Sequence, residues 1–137
     1  MQKVRIGMSY KKIVVAGGGV LGSQIAFQSA YCGFDVTIWL RSEGSIGRTR
    51  PKLDYLKKTY LDTIENMEKG KGPWAAGIAD SDNFDKEECI AKVEHAYSSL
   101  KLELDMKKAV EDADLVIESM AENEKDKIEK SKAEKVR

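Results

Sequence analysis

Gly17-Gly18-Gly19-Val20-Leu21-Gly22 is the stretch of this sequence whose residue types and spacing best suit a chemical task. The G-x-G-x-x-G order serves phosphate binding rather than bond making. Gly17 permits a tight turn. Gly19 has no Cβ, so a dinucleotide pyrophosphate can approach the backbone, and Gly22 lets a helix pack closely on a strand. The anion would rest on the free N–H groups and positive dipole end of a helix starting near Val20.

About twenty residues beyond such a turn, a fold that selects NAD usually carries Asp or Glu to accept the adenine-ribose hydroxyls. Here the corresponding run is Leu40-Arg41-Ser42-Glu43. Leucine accepts no hydrogen bond, whereas Arg41 can pair with a 2′-phosphate and stack on adenine, with Arg48 and Arg50 nearby. That pattern favours NADP. The competing account leaves Arg41 on the surface and has Glu43 reach back to the ribose.

These residues need elements to hold them. Residues 12–16, Lys-Ile-Val-Val-Ala, form the short β-branched run expected of a buried parallel strand. Residues 23–32 read as a helix whose small Ser23, Ala26, Ser29 and Ala30 allow close packing, and Gly33 is placed to end it. Residues 35–40 are a second strand, completing a βαβ unit. Pro51 is expected to start a helix running to Lys69, with Leu53, Leu56, Tyr60 and Ile64 as its apolar stripe. Gly70-Lys71-Gly72-Pro73 breaks it, and residues 74–81 read as a loop. Asp82 or Asp85 caps another helix to about Tyr97, with Cys89, Val93 and Ala96 on one side. Residues 101–104 suggest an edge strand, Asp105 caps a short helix over 106–111, and residues 114–118 make a fourth strand. The fold class is α/β: a Rossmann-type doubly wound parallel sheet in the order 3-2-1-4, reading as cut short after the fourth strand.

Composition narrows the partners. At 137 residues the chain has room for one domain, and two prolines with 42% hydrophobic residues exclude a collagen-like or disordered chain. No apolar run approaches the ~18 residues of a membrane span, and the opening MQKVRIG lacks the apolar core of a secretory signal. Cys32 and Cys89 lie outside any CxxC pair and read as core residues of a cytoplasmic protein, and one histidine, His95, makes no metal site. The balanced charge is divided unevenly: residues 1–60 hold ten Lys/Arg against three Asp/Glu, and residues 61–137 hold thirteen against twenty. A basic half suits an anionic ligand, but its cations are not interleaved with aromatics, which argues against nucleic acid.

The runs KKIVVAGGGVLGSQIAFQSAYCGFDVTIW and VEDADLVIESMAENEKDK resemble the N-terminal NAD-binding domain of the 3-hydroxyacyl-CoA dehydrogenase family over about residues 11–128. The resemblance implies NAD as cofactor and oxidation of an L-3-hydroxyacyl-CoA to the 3-ketoacyl-CoA by hydride transfer. Carried over by position, Gly17 to Gly22 would bind the pyrophosphate, and Glu122 and Lys127 would contact the cofactor near its nicotinamide half. Leu40 replaces the family's aspartate, and Ala121 stands where proline or valine is usual. The family's catalytic serine, histidine–glutamate pair and asparagine have no match, so no catalytic residue is assigned. The expected organisation is an N-terminal extension at 1–10, a dinucleotide-binding domain at 11–137 incomplete at its C-terminus, and no catalytic C-terminal domain. Such a chain is expected to be inactive alone and to meet acyl-CoA only in a full-length form. Leu115-Val116-Ile117 is then an edge through which the chain could self-associate. The alternatives are a non-catalytic dinucleotide-binding module or subunit that completes another chain, and an NADP-preferring reductase domain.

Overall fold

The computed structural model describes residues 11–119. Eight elements follow one another: β1 (Lys12–Ala16), α1 (Val20–Tyr31), β2 (Asp35–Trp39), α2 (Glu43–Lys69), α3 (Lys86–Ser99), β3 (Lys101–Glu103), α4 (Met106–Val110) and β4 (Leu115–Glu118). The four strands form one sheet in the order β3-β2-β1-β4, and each neighbouring pair is parallel. The sequence order of strands reverses between β1 and β4. Their carboxyl ends therefore border the switch point at which open α/β sheets bind ligands.

β1 lies inside the sheet because it is apolar from Ile13 to Ala16: Val14 and Val15 are fully buried. Its register on β4 pairs Val14 with Val116 and Ala16 with Glu118. Asp114 secures the start of that pairing, its carboxylate accepting from the Lys11 and Lys12 N–H groups at 2.8 and 2.9 Å. β3 is an edge strand, as its alternating sequence suggests. Among the described residues, β4 has β1 on one side and no strand on the other.

α1 buries its small face, Ser23, Ala26 and Ala30, together with Phe27 and Tyr31. α2 and α3 complete that layer through Leu53, Leu56, Ile64, Cys89, Val93 and Ala96. The Tyr60 ring of α2 packs on α1, its centroid 4.7 Å from that of Phe27 and 5.6 Å from that of Tyr31. Gly33, with φ of 103°, turns the chain out of α1, and Asp85 caps α3 by accepting from the Glu88 N–H. The 74–81 loop is tied to α1: Gly77 and Ile78 carbonyls accept from Gln28 Nε2 and Tyr31 Oη, both at 2.8 Å.

Two expectations are corrected. α2 begins at Glu43, with Pro51 inside it rather than at its first turn. Ser42 provides the cap, accepting from the Ser45 N–H, and proline costs the helix only the bond to the Gly47 carbonyl four residues back. Cys32 is exposed rather than packed in the core, because it occupies the position just past α1, beyond the last buried turn. Among the described residues, no helix is long and apolar enough to cross a membrane.

Candidate functional site

The glycine turn leaves β1 at the switch point and enters α1 after three residues. Gly17 has φ of 122°, a region that side chains disfavour, and its N–H donates to the Trp39 carbonyl at 3.0 Å. Gly22 is required by packing: a Cβ there would sit inside contact distance of the Gly17 carbonyl oxygen, which is backbone and cannot rotate aside. Gly18 is equally confined, since a Cβ would collide with Thr49 Oγ1 and come within 2.6 Å of Leu40 Cδ2. The Gly18 carbonyl accepts from Thr49 Oγ1 at 3.1 Å and from Ser23 Oγ at 3.2 Å, so α2 and α1 both hold the turn in place. Gly19 is the N-cap of α1, with no side chain to cap it and no acid in the first turn. The helix thus presents uncapped N–H donors and an uncompensated positive dipole end.

Across from the turn, β2 ends with Trp39, whose Nε1 donates to the Leu104 carbonyl at 2.9 Å. Leu40 follows at 2% exposure, held to the sheet end by a 2.9 Å bond from its N–H to the Glu103 carbonyl. Arg41 then opens onto a cleft of about 240 Å³, bordered by Gly17 to Gly19 on one side and by Arg48 and Lys52 of α2 on the other. Ser45 also lines it and accepts a 3.0 Å bond from Arg48 Nη2, while Lys52 Nζ donates to the Arg48 carbonyl at 3.1 Å. Among the described residues, three cations and no carboxylate line this cleft. Among the described residues, the ion pairs engage other lysines, and none involves Arg41, Arg48 or Lys52.

The family model described as 3-hydroxyacyl-CoA dehydrogenase, NAD binding domain, matches residues 12–133. The chain belongs to this family. Among curated proteins, none matches significantly. Several solved structures do. A diketoreductase acting on dicarbonyl compounds is 29% identical with a TM-score of 0.63, covering 85% of this chain and 34% of its own. FadB2 of M. tuberculosis is 24% identical with a TM-score of 0.56, covering 88% and 34%. The 3-hydroxybutyryl-CoA dehydrogenase of Escherichia coli is 23% identical with a TM-score of 0.55, covering 85% and 20%. At these identities the last two show the shared fold, and the chain spans about a third or less of each relative.

In this NAD-binding domain the residues fit a dinucleotide. The turn has no side chain over the α1 N-terminus, and Gly18 and Gly22 occupy spaces that a Cβ would overfill. Gly17, Gly18 and Gly19 line the cleft, Gly22 lies buried behind them, and Val20 and Leu21 stand 65% and 63% exposed on the first turn of α1. Arg41 is in the cleft with Arg48, but Arg50 and Glu43 do not line it. The Tyr97 hydroxyl donates to Asp54, a bond that raises it from its ordinary value, while the charge of Arg50 slightly opposes that rise. Glu122 and Lys127 lie outside the described residues. His95 is exposed on α3, away from the cleft. Ser45 and Thr49 were missed by sequence reasoning. With Arg48 they follow the spacing of one helix face, a pattern legible only once α2 is known to begin before Pro51.

Proposed function

We propose that this chain supplies the dinucleotide-binding part of an oxidoreductase that transfers hydride between an L-3-hydroxyacyl-CoA and a nicotinamide cofactor. The observation that carries the reading is the uncapped α1 N-terminus behind the glycine turn, at the switch point of a β3-β2-β1-β4 sheet. The nicotinamide, when bound, gives or takes the hydride. Gly17 to Gly22, with Val20 and Leu21 contributing backbone N–H groups, hold the pyrophosphate; Arg41 meets the adenosine end. Glu122 and Lys127 take the nicotinamide-side contacts that the family resemblance implies. Acyl-CoA is met only in a full-length form, because the family's serine, histidine–glutamate pair and asparagine have no counterpart in the 137 residues. The chain alone therefore binds and does not turn over. Unpaired Cys32 and Cys89 favour a reducing compartment, the cytoplasm.

Fluorescence of Trp39, which lines the cleft, provides the test. Saturable quenching by NADH or NADPH without turnover of acetoacetyl-CoA supports the reading. Failure of both dinucleotides to bind overturns it, and measurable turnover overturns the assignment to binding alone.

A second reading, a non-catalytic subunit that pairs with itself or completes another chain, is favoured by the β4 edge, where Val116 is 49% exposed. Sedimentation velocity separates the two: a mass that rises with concentration supports pairing, and a monomer throughout removes the self-pairing form.

A further inference from the structure

We propose that the cleft beside the glycine turn is a phosphomonoester site for adenosine, built by Arg41, Arg48 and Lys52 to take the 2′-phosphate of NADP. This rests on the dinucleotide reading and departs from the NAD that the family's description names.

Among the described residues, the ribose end offers no carboxylate to accept the hydroxyls. Leu40, at the position where an acid would take the ribose hydroxyls, is buried at 2% and wedged beside Gly18, with its N–H tied to the Glu103 carbonyl. Glu43, the nearest candidate to reach back, does not line the cleft. A bare ribose would leave Arg41, Arg48 and Lys52 without an anion among the described residues.

The cations are arranged to converge. Arg41 follows directly on the buried end of β2, and Arg48 and Lys52 lie one turn apart on α2. The Ser45 hydroxyl holds Arg48 Nη2 at 3.0 Å, which leaves the rest of the guanidinium fork for phosphate oxygens. Ser42 and Ser45 sit at the N-terminal end of a 27-residue helix, whose dipole is partly offset by Glu43 in its first turn. Thr49, on the same helix, is bonded to the Gly18 carbonyl at 3.1 Å. The phosphomonoester site and the pyrophosphate turn are therefore held at a fixed separation, as one dinucleotide requires. A dianionic phosphomonoester is the group that balances such a cluster.

Coenzyme A also carries a ribose phosphomonoester, on the 3′-oxygen, so the test separates the two sources. The chain is titrated calorimetrically with ADP, 2′,5′-ADP and 3′,5′-ADP, and with NADH and NADPH. The expected result is 2′,5′-ADP binding at least about tenfold tighter than ADP, as charge-assisted hydrogen bonds predict, with the gap narrowing as salt is raised. Arg48→Ala alters an exposed position and Lys52→Ala a half-buried one, and retention of the fold is checked by circular dichroism. Each should reduce the ratio of 2′,5′-ADP to ADP affinity by about tenfold, and Arg50→Ala should leave it unchanged. Equal affinity for ADP and 2′,5′-ADP overturns the phosphate site while leaving the dinucleotide reading intact. Tighter binding of 3′,5′-ADP overturns the NADP assignment in favour of coenzyme A. Absence of binding by every nucleotide overturns both readings together.

Discussion

The same substitution, glycine to alanine, should have opposite effects at two helical positions. At Gly22 the new Cβ falls against the Gly17 carbonyl oxygen, with the Gly17 carbonyl carbon at 3.1 Å. The obstacle is backbone at the end of a buried central strand, so relief requires the turn to open. Overpacking of this kind costs about 1–3 kcal/mol, and the better helix propensity of alanine returns at most about 1 kcal/mol. With the full return the net loss is about 0–2 kcal/mol, or a melting temperature lower by up to roughly 8 °C for a domain of this size. At Gly47 a Cβ meets nothing within 4 Å, and φ is not positive, so Gly47→Ala should stabilise by about 0.4–1 kcal/mol. Urea unfolding of both variants measures the difference, provided the slopes of the transitions agree. Dinucleotide titration adds a second readout. Opening the turn shifts the N–H donors, so Gly22→Ala should weaken binding while Gly47→Ala leaves it unchanged. A Gly22→Ala protein with native stability and native dinucleotide affinity would refute the claim that Gly22 shapes the turn.

Three further outcomes are expected. Phe27→Ala empties a fully buried position against the Tyr60 ring and should cost about 3–5 kcal/mol in urea unfolding; a loss under 1 kcal/mol would contradict the assigned core. The Lys12 and Lys11 N–H groups hold the Asp114 carboxyl below its ordinary value, so its contribution is present above about pH 4 and is lost as pH falls through the lowered value. Asp114→Asn should therefore flatten the acid limb of a stability profile, and an unchanged limb would count against the β1–β4 tie. Burial, with a smaller contribution from Cys32, pushes Tyr60 up to about 12, so its contribution is complete below pH 10 and fades as pH rises towards that value. Tyr60→Phe should reduce alkaline destabilisation in thermal melts at pH 9–12, and an equally steep loss would assign it elsewhere.

Much of this architecture was legible because it is locally encoded. The β-branched run at β1, three glycines at fixed spacing and the small face of α1 each admit one role, and their order gives the βαβ unit. Asp105 announced α4, and of the two candidates Asp82 and Asp85 it is Asp85 that caps α3, as side chains that satisfy free helix donors should. α2 was misread because two tendencies conflict within it. Pro51 favours a helix start, while Gly44 and Gly47 before it resemble a loop, yet the Ser42 cap and the buried Thr49 and Leu53 hold the helix through both. That error hid half of the candidate site. With the helix started at Pro51, Ser45, Arg48 and Thr49 fall outside it and share no face with Lys52; on one helix all four line one cleft. The packing of Thr49 and Leu40 against Gly18 is tertiary, and nothing in their spacing announces it. Cys32 was misplaced for a related reason, since apolarity does not say whether a residue precedes or follows the last buried turn.

The central claim is that the glycine turn and the cationic face of α2 bind one dinucleotide together. Amide chemical shifts of the isotopically labelled chain, followed during titration with NADPH, test this directly. The account predicts saturable shifts at Gly17 to Gly22 and from Arg41 to Lys52, sharing one dissociation constant, while α3 residues around His95 stay fixed. Shifts confined to other surfaces, or none at millimolar NADPH, would contradict it.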